Sequence, residues 1–220
     1  MTATIILVSE GFVWTTPWFS AKLFPAVCRR GAVMQEFPPR YRIYLAGPDV
    51  FLPDSVALAG RLKAVCAANG AVGLYPMDNI AEPDAPRRMA HAIRVANEAM
   101  IAGCDAVVAN MRPFRGPGMD GGTAYEIGYA RALGKLVIGY TPDQRDYAER
   151  VGECMPLLRG TDGMLRDRDG QSVEEFGLVD NLMMADGAFV VVPTFEEAVA
   201  LAVLGLRQAD ETGGGAWTGP

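Results

Sequence analysis

Between Tyr41 and Gln208 the chain repeats one pattern: a short run of β-branched and apolar residues, then a longer stretch whose apolar positions recur at helical spacing. The short runs are Arg42–Ala46, Ala71–Tyr75, Asp105–Asn110, Lys135–Tyr140 and Phe189–Val192. Continuous hydrophobicity of this kind belongs to strands covered on both faces, which is the condition of a parallel sheet. Helices are predicted at 54–69, about 85–103, roughly Thr123–Leu133, near 173–185, and from Thr194 to about Gln208. The first is expected to bury Val56, Leu58, Leu62, Val65 and Cys66, the second Met89, Ile93, Ala96 and Met100. Thr194 with Glu197 three residues on reads as a capping box. Residues 141–172, charged and glycine-bearing, are predicted to form an irregular excursion. Strand–helix alternation with right-handed crossovers predicts an α/β, flavodoxin-like open parallel sheet of about five strands with helices on both faces. In such sheets ligands sit beyond the carboxyl ends of the strands, here the stretches 47–54, 76–86, 110–123 and from Tyr140 onward.

The flanks are different in kind. Residues 1–40 hold Trp14 and Trp18, show no period, and end near Pro38-Pro39. Lys22, Arg29, Arg30 and Arg40 outnumber Glu10 and Glu36 there, whereas the chain as a whole has 20 basic and 26 acidic side chains, a net charge of −6 and a pI near 4.9. These residues are expected to be an N-terminal extension, with Met34 as the expected true start and an arm packing on a neighbour as the other reading. The domain is placed at 41–208, and the glycine-rich tail 209–220 is expected to be disordered.

An acidic chain lacks the basic surface that phosphate-backbone binding requires, so no nucleic-acid partner is expected. Cys28, Cys66, Cys104 and Cys154 form no CxxC pair, and His91 is the one histidine, so no metal site is expected. The first apolar run, Ile5–Val8, is far too short to span a bilayer and no basic residue precedes it. A cytoplasmic protein with reduced thiols and no membrane partner is the expectation.

Chemistry concentrates in Asp120-Gly-Gly-Thr-Ala-Tyr-Glu126-Ile-Gly128. Asp120 precedes a predicted helix and Glu126 lies early in it, so the helix N-terminus is expected to favour both ionised carboxylates, as a carboxylate nucleophile requires. An ordinary acidic helix start has the same residue types. Gly121 and Gly122 permit close approach of backbone to a ligand, and Gly128 is expected to let the helix lie near the sheet. The helix is apolar at Ala124, Ile127, Ala130 and Leu133, and Glu126 lies close to Ala130 one turn on, so its carboxylate needs a partner. Tyr44, at the end of the first strand, is the candidate hydroxyl. Asn97 follows Ile93 by one helical turn on the face of the second helix, and Asp78-Asn79 stand just after the second strand, within loose reach of a ligand. His91 falls off that face with no nucleophile near it, which argues against a catalytic triad.

Tyr44-Leu-Ala-Gly-Pro, Asp105-Ala-Val-Val-Ala-Asn, Phe114-Arg-Gly, Asp120-x5-Glu126-Ile-Gly-Tyr-Ala and Asn181-Leu-Met183 occur in that order. Together they resemble the nucleoside 2-deoxyribosyltransferase family over about residues 41–208. The resemblance implies transfer of 2-deoxyribose between nucleobases, with a 2′-deoxynucleoside and a free base as partners, in deoxyribonucleoside metabolism and nucleotide salvage, without a cofactor. It implies that Glu126 is the nucleophile, that Tyr44 orients it, and that Asp120 binds the sugar hydroxyls. Asn181 and Met183 match residues lent to a neighbouring subunit's pocket, so a homo-oligomer is implied. Members often carry an aspartate, the acid toward the leaving base, where this chain has Asn97. An amide can bind a base but cannot protonate it, leaving Asp78, Glu98 or water as the proton source, or a base that departs less assisted.

Two other readings share the sheet. Related hydrolases of 2′-deoxynucleoside 5′-monophosphates typically place a serine where this chain has Asp120, and a carboxylate there repels the phosphate. A non-catalytic nucleotide-sensing module would have no need of Glu126. A dinucleotide site is disfavoured because Gly47-Pro48-Asp49 stands where a GxGxxG turn would follow the first strand.

Overall fold

The computed structural model describes residues 40–78 and 85–213, together with the backbone of two short strands nearer the N-terminus. The chain divides into two compact units, Met1–Glu36 and Phe37–Pro220. In the first, β1 (Leu7–Ser9) and β2 (Phe12–Trp14) pair antiparallel. Met34, Trp18 and Cys28 lie outside the described residues.

The second unit holds the predicted sheet. Its strands are β3 (Tyr41–Ala46), β4 (Ala71–Leu74), β5 (Ala106–Asn110), β6 (Leu136–Tyr140) and β9 (Val190–Val192), all parallel in the order β4-β3-β5-β6-β9. Two further strands among the described residues, β7 (Leu158–Arg159) and β8 (Leu165–Arg166), form a separate antiparallel pair in the excursion.

Strand alternation assigns side chains to two cores. Tyr41, Ile43 and Leu45 of β3, with Ala106, Val108, Leu136 and Ile138, face α1 (Ser55–Ala68) and α6 (Phe195–Glu211). Tyr44 and Ala46, with Val107, Ala109 and Val137, face α2 (Pro86–Ala102), α3 (Gly121–Ala132) and the short α5 (Leu182–Ala185). Both faces are covered, which is why these strands read as unbroken apolar runs. After β3 the chain winds outward to β4 over one face and returns over the other to β5. The order therefore reverses between β3 and β5, and the crevice beyond their carboxyl ends is the place where such sheets take ligands.

Several local expectations change. The 141–172 excursion contains a true helix, α4 (Tyr147–Cys154), besides the β7–β8 hairpin. Much of the helix predicted near 173–185 is loop, and only Leu182–Ala185 is helical. Val56 is 75% exposed and Ile93 38% exposed, so neither belongs to the stripe proposed for its helix; α2 buries only Met100 and Ile101 near its end. Gly128 faces open space rather than the sheet. Of the tail, residues 209–211 continue α6 to Glu211 and are not disordered. Thr194 does cap α6, accepting from Glu197 N at 3.2 Å. Cys66 and Cys104 are buried thiols, Cys66 pushed up to about 12 by burial, and Cys154 is exposed.

Beyond β3 the chain turns through Gly47 into a single 3-10 turn, Pro48–Phe51. Gly47 is extended, so its requirement is steric: a Cβ there would stand 2.7 Å from Asn110 Cβ at the end of β5. Gly47→Ala should destabilise the domain by about 1–3 kcal/mol, since backbone must move to relieve that contact. Urea denaturation read as a lowered midpoint checks it.

Candidate active site

The two sequence elements expected to meet do so. Tyr44 lies wholly buried on the α2–α3 face of β3, and its Oη donates to Glu126 Oε1 of α3 at 2.6 Å across 82 residues of chain. Burial, then the neighbouring carboxylate, drives the phenol pKa far above its ordinary value, so Tyr44 keeps its proton and remains a donor. Glu126 is pushed from its ordinary 4.5 to about 7. Burial is the main cause, the Tyr44 hydrogen bond opposes it, and the charge of Asp120 adds to it. The expectation that the helix N-terminus favours the ionised form does not hold for Glu126. It lies in the second turn of α3, past the unpaired amides, and desolvation dominates.

Asp120 is the N-cap of α3. Its Oδ2 accepts from Thr123 N at 2.9 Å and from Thr123 Oγ1 at 3.0 Å, so the cap uses one carboxylate oxygen. The helix begins two residues earlier than predicted, at Gly121. Gly121 and Gly122 are thus its first turn, and a Cβ on Gly122 would stand 3.0 Å from Asp120 Oδ2. Asn97 lies on α2, which packs beside α3, and its Oδ1 is buried with no hydrogen-bond partner among the described residues. Such an acceptor is costly unless a ligand completes it.

Other predicted residues stand apart. Asp78 bonds Lys63 of α1 at 2.5 Å and caps Tyr75 N at 2.9 Å, which ties it to the α1 side of the sheet. Asn79 lies outside the described residues. Glu98 accepts from Tyr125 Oη at 2.5 Å and Arg94 at 2.5 Å, and these bonds, Tyr125 first, hold its carboxyl below the usual range, unsuited to a proton donor. Asn181 caps α5 through Met183 N at 3.0 Å and donates to Glu174, and Met183 is 73% exposed. His91 is exposed.

A second polar group at the strand ends was not anticipated. Asp49, 7% exposed, accepts from Asn110 Nδ2 at 2.9 Å and has Arg112 at 3.5 Å and Tyr140 Oη at 3.5 Å. Tyr75, more deeply buried still, has no partner for its hydroxyl among the described residues, and burial aided by the charge of Asp49 pushes its pKa up to about 12. At the rim Phe51 and Phe114 stack at 5.3 Å with the Arg115 guanidinium over both rings. The strand-end rule pointed at both loops, but an aspartate after Gly-Pro reads as a turn residue until its burial is seen.

The raised Glu126 pKa links to stability with a definite sign. A carboxyl that titrates higher in the folded chain destabilises it when ionised, so the stability held below pH 4.5 is lost as pH rises to about 7. Glu126→Gln should therefore gain on the parent across that window, by up to about 3 kcal/mol, and no further above it. Urea midpoints of both proteins from pH 4.5 to 8 measure the difference.

Residues 43–183 match the model of the family described as nucleoside 2-deoxyribosyltransferase. An uncharacterized protein of Schizosaccharomyces pombe is 32% identical over 181 residues, 73% of this chain and 86% of its own length. Among solved structures, a 2-desoxiribosyltransferase from Leishmania mexicana is 39% identical with a TM-score of 0.61, covering 74% of this chain and 97% of that one.

Proposed function

Since the chain belongs to the nucleoside 2-deoxyribosyltransferase family, we propose that it moves 2-deoxyribose from one nucleobase to another through a covalent intermediate on Glu126. The hydrogen bond from the buried Tyr44 to the half-buried Glu126 carries this reading. It occupies Oε1 and leaves Oε2 to attack the anomeric carbon. A carbon–oxygen bond forms there as the carbon–nitrogen bond breaks, and the base departs with the electron pair. A second base then displaces Glu126 from the opposite face, so configuration is restored. Water in place of the second base gives hydrolysis.

Each neighbour has a part. Burial makes the Glu126 oxygen a poorly solvated nucleophile, and Tyr44 steadies its position without neutralising it. Asp120, with Oδ2 committed to the helix cap, offers Oδ1 to a sugar hydroxyl. Asn97 presents an unsatisfied buried oxygen to a donor on the base, but an amide has no proton to deliver. Glu98 is held ionised by Arg94 and Tyr125, and Asp78 is tied to α1. Water is then the proton source, and bases that leave readily without protonation should be preferred. The exposed Met183 is open to a second copy of the chain, as a homo-oligomer requires, whereas Asn181 spends Oδ1 on the α5 cap and Nδ2 on Glu174 of its own chain.

Incubating the purified protein with a 2′-deoxynucleoside and a different free base should yield a new deoxynucleoside, and Glu126→Ala should yield none. Free base alone would make the protein a hydrolase, and no turnover would leave a sensing role. Because the nucleophile must be ionised, kcat/KM should fall tenfold per pH unit below a limb near pH 7. Tyr44→Phe removes the bond that lowers the Glu126 pKa, so the limb should move upward and kcat at pH 7 should fall on the order of tenfold. A limb unmoved in that variant would separate Tyr44 from the ionisation of Glu126.

A further inference from the structure

Asp180 joins three stretches of chain that are far apart in sequence. Its side chain is 2% exposed. Oδ2 accepts from Met119 N at 2.9 Å, and Oδ1 accepts from Asn181 N at 2.8 Å. Arg150 of α4, 3% exposed, lies 3.5 Å from Oδ2 and donates to the Val179 carbonyl. Arg150 Nε and Nη1 find no partner among the described residues, so what Arg150 gives Asp180 is mainly opposite charge in a dry setting.

Met119 is the residue before Asp120. Its amide lies ahead of α3, where no helical carbonyl can receive it, and Asp180 is the acceptor that holds it. Gly118 lies against the same carboxylate, with its Cβ position 3.5 Å from Asp180 Oδ1. Asp120 is therefore fixed from both sides: forward by Thr123, through its own Oδ2, and backward by Asp180, through the Met119 amide. A change in the backward tether rotates the peptide that delivers Asp120 and moves Oδ1, while Glu126, two turns along and held by Tyr44, stays in place.

We propose that Asp180 is a positioning residue for Asp120, setting through the Met119 amide where the sugar-binding oxygen stands, with Arg150 as its charge partner. The inference rests on the reading of Asp120 given above. It assigns to the excursion between β6 and β9 a part in substrate selection: recognition of a sugar hydroxyl depends on a carboxylate that never touches the sugar.

The test uses the full chain and separates the acceptor from the charge. Arg150→Met with Asp180→Asn removes both charges and retains an oxygen for the Met119 amide. Arg150→Met with Asp180→Leu removes the oxygen as well, and Arg150→Met with Asp180→Ser does the same with a side chain too short to reach, for use if the leucine variant does not fold. Base exchange is measured with a 2′-deoxynucleoside and with its 2′,3′-dideoxy and 2′,5′-dideoxy analogues. The leucine or serine variant should lose about 10- to 100-fold in kcat/KM on the complete sugar. That loss should shrink to under about threefold on the analogue lacking the hydroxyl that Asp120 holds, and the asparagine variant should recover most of it. An equal loss on all three substrates, or no recovery with asparagine, would overturn the proposal. Absence of exchange by the unmodified protein would instead overturn the reading of Glu126 and Asp120, and this inference with it.

Discussion

A carboxylate buried beneath a tyrosine hydroxyl is the constraint around which this domain is arranged. Left alone, Glu126 would lose its charge to burial or draw water into the α3–sheet interface. Tyr44 compensates it in part, and can do so only because β3 and α3 are held at one spacing. That spacing depends on β5 lying between them in the chain's winding and beside β3 in the sheet. The cap by Asp120 and the close approach at Gly122 then fix where α3 begins. The remaining desolvation shows as a carboxyl poised to ionise near neutral pH.

The sheet also sorts its buried polar groups. Tyr44 points to the α2–α3 face, and one β residue either side points to the α1–α6 face. Asp78 follows β4 onto the α1 side and is neutralised there by Lys63. Asp49 lies beyond the end of β3 and meets Asn110, the last residue of β5. Asp180 pairs with Arg150 below the loop that leads to α3. Each of these carboxylates has its own donor, so the charge near Glu126 is limited to that of Asp120. This separation limits the repulsion felt by the Glu126 carboxylate in a chain that is acidic overall.

Much of this is legible in the amino-acid sequence. Strand runs of buried type announced the parallel sheet, and Glu126 beside an apolar stripe asked for a partner that Tyr44 was placed to supply. Helix faces were read less well. Val56 and Ile93 satisfy helical spacing yet stand exposed, because α1 and α2 touch the sheet along only part of their length. Periodicity reports which residues share a face, not how far the neighbouring layer extends. The excursion after β6 was opaque for a different reason: α4 and Asp180 are stabilised by contacts 30 residues apart, and composition carries no trace of them.

From the amino-acid order alone came the five strands of the parallel sheet, its two covered faces, the helices α1, α2, α3 and α6, and the pairing of Tyr44 with Glu126. These are local or periodic properties, decided by side-chain alternation, turn chemistry and the cost of an unpartnered charge. Only the tertiary structure decided that Glu126 titrates near 7, that Asp78 belongs to the opposite face, and that Asp180 holds the peptide before Asp120. Desolvation depends on everything packed around a group, and a tether between distant segments exists only once the chain has folded.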